Sequence, residues 1–304
     1  MPSITKTSVV FQHVAKTAGS TFENILNRQY DPNRIYRLTA DTPDELLRAI
    51  HRYKRMSLAE RASYDLVAGH SAFSVFDDIP GQRVGITFLR DPVERVISHY
   101  FYAKRRPDHP LYSMAMDLDL GDYTLSLPNE LQNRCTQVFA SLTHREINAD
   151  PEAALAVAKK NLKVHFRVIG LTERFDESIV LIAHRLGWNQ FPYYQRLNVT
   201  SKRPKRSQVS DQALRVIREA NALDIRLYES ASEWFQEAID EGGSLLSKKI
   251  RHFVNMNSYY QLYLKMQRQR RLILSHPQVL VPMLKSRLKQ GYVNRKRSRG
   301  VSQG

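Results

Sequence analysis

Twice in this 304-residue chain a short apolar run passes through a polar turn straight into a helical repeat, and those junctions limit the fold more than any other feature. The first is Ser8–His13 (SVVFQH), followed by Val14-Ala15-Lys16-Thr17-Ala18-Gly19-Ser20-Thr21 and then by Phe22, Ile25 and Leu26 at helical spacing. In the second, Val84–Leu89 leads into Arg90-Asp91-Pro92. Asp91 can cap there, Pro92 suits the first helical position, and Val93, Val96, Ile97, Tyr100 and Phe101 recur on one helix face. Tyr64–Ala68 and Phe166–Gly170 read as further strands, and helical patterns fit 43–62, 129–140, 151–163, 173–186 and 210–240. Strands alternating with helices predict an α/β fold, a mainly parallel sheet with helices on both faces. Ligands of such sheets sit at the carboxyl ends of strands, where helix amino termini present unpaired N–H groups.

Charge divides the chain. Of its 46 Lys and Arg, 14 fall in residues 244–304 with no Asp or Glu, which leaves 32 basic side chains against 30 acidic in the first 243. The expected organisation is a nearly neutral domain over 1–243 and a basic helical extension over 244–304. The extension would attract an anionic membrane surface more readily than nucleic acid, through interleaved Tyr259, Tyr260, Tyr263, Lys265, Arg268, Arg270 and Arg271. The single cysteine, Cys135, excludes an internal disulfide and a Cys-rich metal site. No uncharged apolar run reaches the ~18 residues a membrane span needs, and Met1–Ser8 lacks the apolar core of a secretory signal. The expected location is cytoplasmic, peripheral at the inner membrane face.

At the first junction, small residues let backbone amides approach phosphate oxygens while Lys16 adds a point charge and Ser20 and Thr21 add hydroxyls. The order is not the Walker pattern, because Lys16 precedes Gly19. Phe11–Thr21 resembles the segment that grips the 5′-phosphosulfate in carbohydrate sulfotransferases of the heparan sulfate 2-O and 6-O type, here as a bacterial member. The resemblance implies a P-loop-like parallel sheet, 3′-phosphoadenosine 5′-phosphosulfate (PAPS) as sulfuryl donor and no metal. Lys16, Thr17, Ala18, Gly19, Ser20 and Thr21 would form the 5′ site. Phe88–Tyr100 is similar to the family's 3′-phosphate segment, with Arg90 and Ser98 matching its ligands. A nucleotide phosphorylated at both ends needs two anion sites, where ATP needs one. The resemblance continues through Ile169–Ser178, placed near the adenine, and Asn221–Tyr228, and it implies a basic closing loop with Lys202 and Arg203.

Sulfuryl transfer to a hydroxyl needs in-line placement, charge compensation on the leaving phosphate and removal of the acceptor proton. Lys16 serves the second need. For the third, His70 in Ala68-Gly69-His70-Ser71-Ala72-Phe73 looks like the element that bears the catalytic histidine of the 2-O branch, with His13 and Glu23 in reserve. Ala15 and Ala18 depart from the family pattern, so the loop mixes features of two branches. The expected reaction moves a sulfuryl group to a hydroxyl of a glycan or glycolipid. The competing readings are a nucleotide kinase with a variant phosphate loop and a non-catalytic anion binder.

Overall fold

The computed structural model describes residues 7–39, 42–195 and 206–275. From the amino terminus come β1 (Thr7–Gln12), α1 (Gly19–Gln29), β2 (Ile35–Leu38), α2 (Pro43–Arg55), α3 (Leu58–Ser63), β3 (Leu66–Gly69), β4 (Gln82–Leu89) and α4 (Pro92–Ala103). Short helices α5 (Tyr112–Asp117), α6 (Leu120–Leu125), α7 (Pro128–Leu131), α8 (Arg134–Ala140) and α9 (His144–Ala149) lead to α10 (Pro151–His165) and β5 (Phe166–Leu171). Then follow α11 (Phe175–Leu186), α12 (Asp211–Ala220), α13 (Ala222–Glu241) and α14 (Gly243–Ser275).

The described strands form one parallel sheet in the order β2-β3-β1-β4-β5, so the expected α/β class holds. Alternation within β1 sends Val9 and Phe11 to one face, against Phe22, Ile25 and Leu26 of α1. Val10 goes to the other face with Val67, Tyr53 and Phe76. Both faces being covered explains the unbroken apolar runs. The apolar stripe of α4 (Val93, Val96, Ile97, Tyr100) builds a separate cluster with Leu120, Tyr123, Leu214 and Ile217.

Register decides what meets at the top of the sheet. Gln12 of β1 stands level with Gly69 of β3 and with Thr87 of β4, whereas β4 runs on to Leu89, which pairs with Leu171. His13 and His70 therefore leave neighbouring strands at one height, and Arg90 starts two residues beyond that level.

Several expected helices are interrupted. The 43–62 pattern breaks where Ser57 and Glu60 make a capping box that starts α3. The 129–140 pattern breaks at Asn133, whose φ is 47°, and the 210–240 pattern at Asn221, whose side chain accepts from the Asn133 amide at 3.1 Å. The edge strand β2, only four residues long and half exposed, has no counterpart among the expected strands.

The chain divides into a unit of residues 1–254 and one of 255–304, and the division falls inside α14, which begins at the sequence boundary of 243/244. Among the described residues no helix is long and apolar enough to cross a membrane.

Candidate active site

The turn after β1 takes an uncommon backbone course: Lys16 and Ala18 both adopt left-handed conformations, with φ of 70° and 65°. Neither is glycine, so the turn carries strain of about 1–3 kcal/mol per residue that the surroundings must hold. Thr17, fully buried, donates its hydroxyl to the Val14 carbonyl at 2.8 Å, and its side chain is spent on shaping the turn. Ala18 is the N-cap of α1 and offers no side-chain acceptor, nor is there an acidic residue in the first turn. The amides of the first turn of α1 thus have no side-chain cap, the Thr21 amide donating to the Ala18 carbonyl at 3.1 Å, and the positive end of the helix lies at this turn. The need for glycine at 19 is steric: a Cβ there would lie 1.9 Å from His13 Nε2.

Arg90 closes the other side. Its Nη1 donates to the Lys16 carbonyl at 3.2 Å, which joins the two junctions directly. Nη2 lies 3.6 Å from Glu94 and Nε 3.9 Å from Glu173. Lys16 Nζ rests 3.4 Å above the Tyr102 ring. Burial, and then the nearby Arg90, Arg105 and Arg106, push the Lys16 ammonium down to about 7. Every charged neighbour that moves it is another cation.

Ala18, Thr21 and Arg90 form one wall of a cavity of about 610 Å³, and Thr172–Glu177, Tyr194, Ile250 and Val254 complete it. Its carboxylates are engaged by the protein itself. Asp176 accepts from the Tyr194 hydroxyl at 2.6 Å, Glu177 pairs with Arg174, and Glu173 accepts from Tyr228 at 2.8 Å. Ile169–Ser178, expected near the adenine, and Asn221–Tyr228, the other segment of the resemblance, meet at that last contact.

His70 follows β3, level with His13 after β1. Its ring stacks on His13 at 4.3 Å and its Nδ1 lies 2.9 Å from the His13 carbonyl. A carbonyl only accepts, so Nδ1 carries the hydrogen and Nε2 of the neutral ring keeps its lone pair. One edge of His70 is open to solvent. The protein packed around the rest, and then the neighbouring His13, hold its pKa below the ordinary imidazole value. His13 Nδ1 in turn lies 3.2 Å from Glu23. Burial raises the Glu23 carboxyl, but His13, with Arg37 and His70 behind it, outweighs this and leaves it below the usual range.

The structure therefore brings Ala18, Thr21 and Arg90 to one cavity, ties Lys16 to Arg90 through its carbonyl while its ammonium lies over Tyr102 outside the cavity lining, and gathers His13, Glu23 and His70 in one cluster. Ser20 is exposed at the start of α1. Ser98, half-buried on α4, is not among the residues that line the cavity. Lys202 and Arg203 lie outside the described residues. Sequence reasoning missed Gln12, buried at the end of β1, which donates to the His70 carbonyl at 2.7 Å and accepts from the Phe73 amide at 2.8 Å. It also missed Tyr102, Arg105 and Arg106 around Lys16. The aromatic-basic run Phe101–Arg106 at the end of α4 was the available signal.

At the carboxyl edge of the parallel sheet lie a cavity lined by Arg90 and Arg174 together with Glu173, Asp176 and Glu177, and the His13–His70 pair at the ends of β1 and β3. The family model described as galactose-3-O-sulfotransferase matches residues 2–260, and the chain belongs to that family. Galactose-3-O-sulfotransferase 3 of Mus musculus is 25% identical over 257 residues, which is 78% of this chain and 58% of that protein. The Homo sapiens protein of that name is 26% identical over the same shares. The chain thus spans little more than half the length of the curated relatives it matches. Among solved structures, a sulfotransferase from Alicyclobacillus acidocaldarius is 17% identical and covers 78% of this chain and 95% of its own, at a TM-score of 0.31. The family shown is the galactose-3-O-sulfotransferase one, where the sequence motifs pointed to the heparan sulfate 2-O and 6-O types.

Proposed function

We propose that this chain transfers a sulfuryl group from PAPS to a hydroxyl of a galactose-bearing glycan or glycolipid. The observation that supports the reading is the hydrogen bond from Arg90 to the Lys16 carbonyl, which links the two strand-to-helix junctions. The donor set fits a nucleotide phosphorylated at both ends. Lys16 and the uncapped amides of α1 suit the 5′ side, and Arg90 suits the 3′-phosphate. A cavity of about 610 Å³ lies within the range usual for ligands of that size.

When bound, PAPS supplies an activated S–O bond whose leaving group is the 5′-phosphate. The chain does the rest. His70 Nε2 takes the acceptor hydroxyl proton as the new O–S bond forms, and Gln12 with the His13 carbonyl keeps that nitrogen turned outward. Lys16 compensates the negative charge that gathers on the leaving phosphate oxygen. Glu23, through His13, steadies the histidine pair. Ser98 on α4 adds to the 3′-phosphate contacts in this reading, and Lys202 and Arg203, outside the described residues, close over the nucleotide. A cytoplasmic setting, with the basic extension on the inner membrane face, accompanies it.

Thermal stabilisation tests the proposal. Adenosine 3′,5′-bisphosphate at about 100 times its Kd should stabilise the protein by ~2.7 kcal/mol, and adenosine 5′-phosphate at the same concentration by far less. Equal shifts from ATP and the bisphosphate, with turnover abolished by a chelator, would transfer the reading to a kinase.

A further inference from the structure

A second cavity, of about 400 Å³, opens between α11, the segment that follows it and the first turns of α14. Its lining is aliphatic and aromatic: Val180, Ala183, Trp188, Phe191, Pro192 and Phe253. Phe191 is 43% exposed although its ring packs on Phe253 at 5.5 Å, so an apolar mouth faces water. Lys248, Lys249 and His252, all exposed, stand at that mouth. Lys249 reaches the His184 ring at 3.3 Å, and the chain from 244 onward supplies no acidic side chain to neutralise them.

We propose that this cavity seats one acyl chain of an anionic phospholipid, with the headgroup phosphate held by Lys248, Lys249 and His252. An apolar cavity gains by excluding water, and a basic rim gains by meeting an anion; one amphiphile with both parts satisfies both. A protein partner would need acidic residues around an apolar anchor, whereas a membrane offers many copies of the required pairing on one surface. A separate observation agrees. The second unit, taken by itself, exposes Tyr259 (69%), Leu262 (56%), Tyr263 (55%) and Met266 (61%) beside Lys265 on its helix, a composition suited to a lipid interface. The site does not share a lining residue with the nucleotide cleft, so sulfuryl transfer can be wrong and lipid binding right, or the reverse.

Trp188 provides the probe, because the chain holds only two tryptophans and Trp234→Phe leaves Trp188 alone to report. The full chain with that substitution is mixed with phosphatidylcholine vesicles containing phosphatidylglycerol brominated on its acyl chains. Trp188 fluorescence should be quenched, and Lys248→Ala with Lys249→Ala should weaken vesicle affinity by about 30-fold, at roughly fivefold per lost charge. Ala183→Phe, which fills the cavity, should remove the quenching. Phe191→Asp, at a side chain already exposed to water, repeats that test away from the core. The proposal is overturned by vesicle binding without quenching, by equal quenching on purely neutral vesicles, by quenching that survives Ala183→Phe and Phe191→Asp, or by no binding at all. Competition by free inorganic phosphate without loss of quenching supports the lipid; full displacement by phosphate defeats it. Stabilisation by adenosine 3′,5′-bisphosphate, followed in the same samples, reports the nucleotide cleft separately.

Discussion

The two strand-to-helix junctions stand side by side on one sheet and are built on opposite plans. After β1 the backbone does the work: Lys16 and Ala18 are held left-handed, and α1 begins without a side-chain cap. After β4 the backbone is closed. Asp91 accepts from the Glu94 amide at 2.8 Å, Pro92 occupies the first turn, and only the Arg90 side chain is directed to the cleft. A strained, uncapped turn suits a ligand group that changes charge during reaction, because fixed dipoles aimed at that group need no rearrangement. A capped helix with one guanidinium suits a group that is only gripped. On the proposed function, the difference gives chemistry to the first junction and recognition to the second.

Breaking the first junction should cost most. Lys16→Met keeps the length of the side chain over Tyr102 and removes the charge, and turnover should fall by about 10²–10³ with the fold retained. His70→Ala should lower turnover by at least ~10², and wild-type kcat/KM should lose activity on the acid side only below the ordinary histidine value, since His70 protonates late. Near-normal turnover in that variant would move the proton acceptor to His13 or Glu23. Breaking the second junction should cost recognition alone. Arg90→Ala should weaken adenosine 3′,5′-bisphosphate by ~10–100-fold in calorimetry, the value of a charge-assisted pair, and adenosine 5′-phosphate hardly at all. Equal losses for both nucleotides would erase the division of labour.

The junctions were legible for a plain reason: each packs its meaning into contiguous residues, where period-2 and period-3.6 patterns abut and a Lys or Arg marks the turn. Gln12 was not legible, because its importance lies in bonds to His70 and Phe73, nearly sixty residues away, which only strand register brings close. The crowd of cations around Lys16 was hidden likewise, since Arg105 and Arg106 reach it by way of α4. β2 escaped as a four-residue edge strand with Arg37 inside it. Breaks such as those at Asn133 and Asn221 depend on bonds across the fold, the Asn133 amide donating to the Asn221 side chain and the Leu223 amide to the Asn133 side chain, beyond any local window.

Titration sharpens the comparison at the next scale. Lys16 is near pKa 7 in the free protein, and a bound phosphate must raise it, so binding takes up a proton around and above neutrality. Affinity for the nucleotide should be flat below pH 7 and fall by up to about tenfold per unit above it, until the raised value in the complex is passed. Arg90 stays charged throughout, so in Lys16→Met the slope should vanish while the dependence on the 3′-phosphate remains. Calorimetry in buffers of different ionisation enthalpy reads the proton directly, and a slope unchanged in Lys16→Met would assign it to another group.

The smallest effects should have opposite signs at the two junctions. Ala18→Gly removes the steric cost of φ 65° at the N-cap of α1, a cost of about 1–2 kcal/mol, and loses part of that gain to the freer unfolded chain. The net should be a stabilisation of ~0.5–1 kcal/mol with the anion-facing amides unchanged. Asp91→Ala deletes the acceptor of the Glu94 amide and should destabilise by ~1 kcal/mol. In a chain of this size each kcal/mol moves Tm by roughly 2–4 °C, so thermal melts of the two variants should shift in opposite directions by a few degrees. If Ala18→Gly melts lower than wild type, the turn after β1 is not strained by its backbone, and the explanation of its chemistry must come from Lys16 alone.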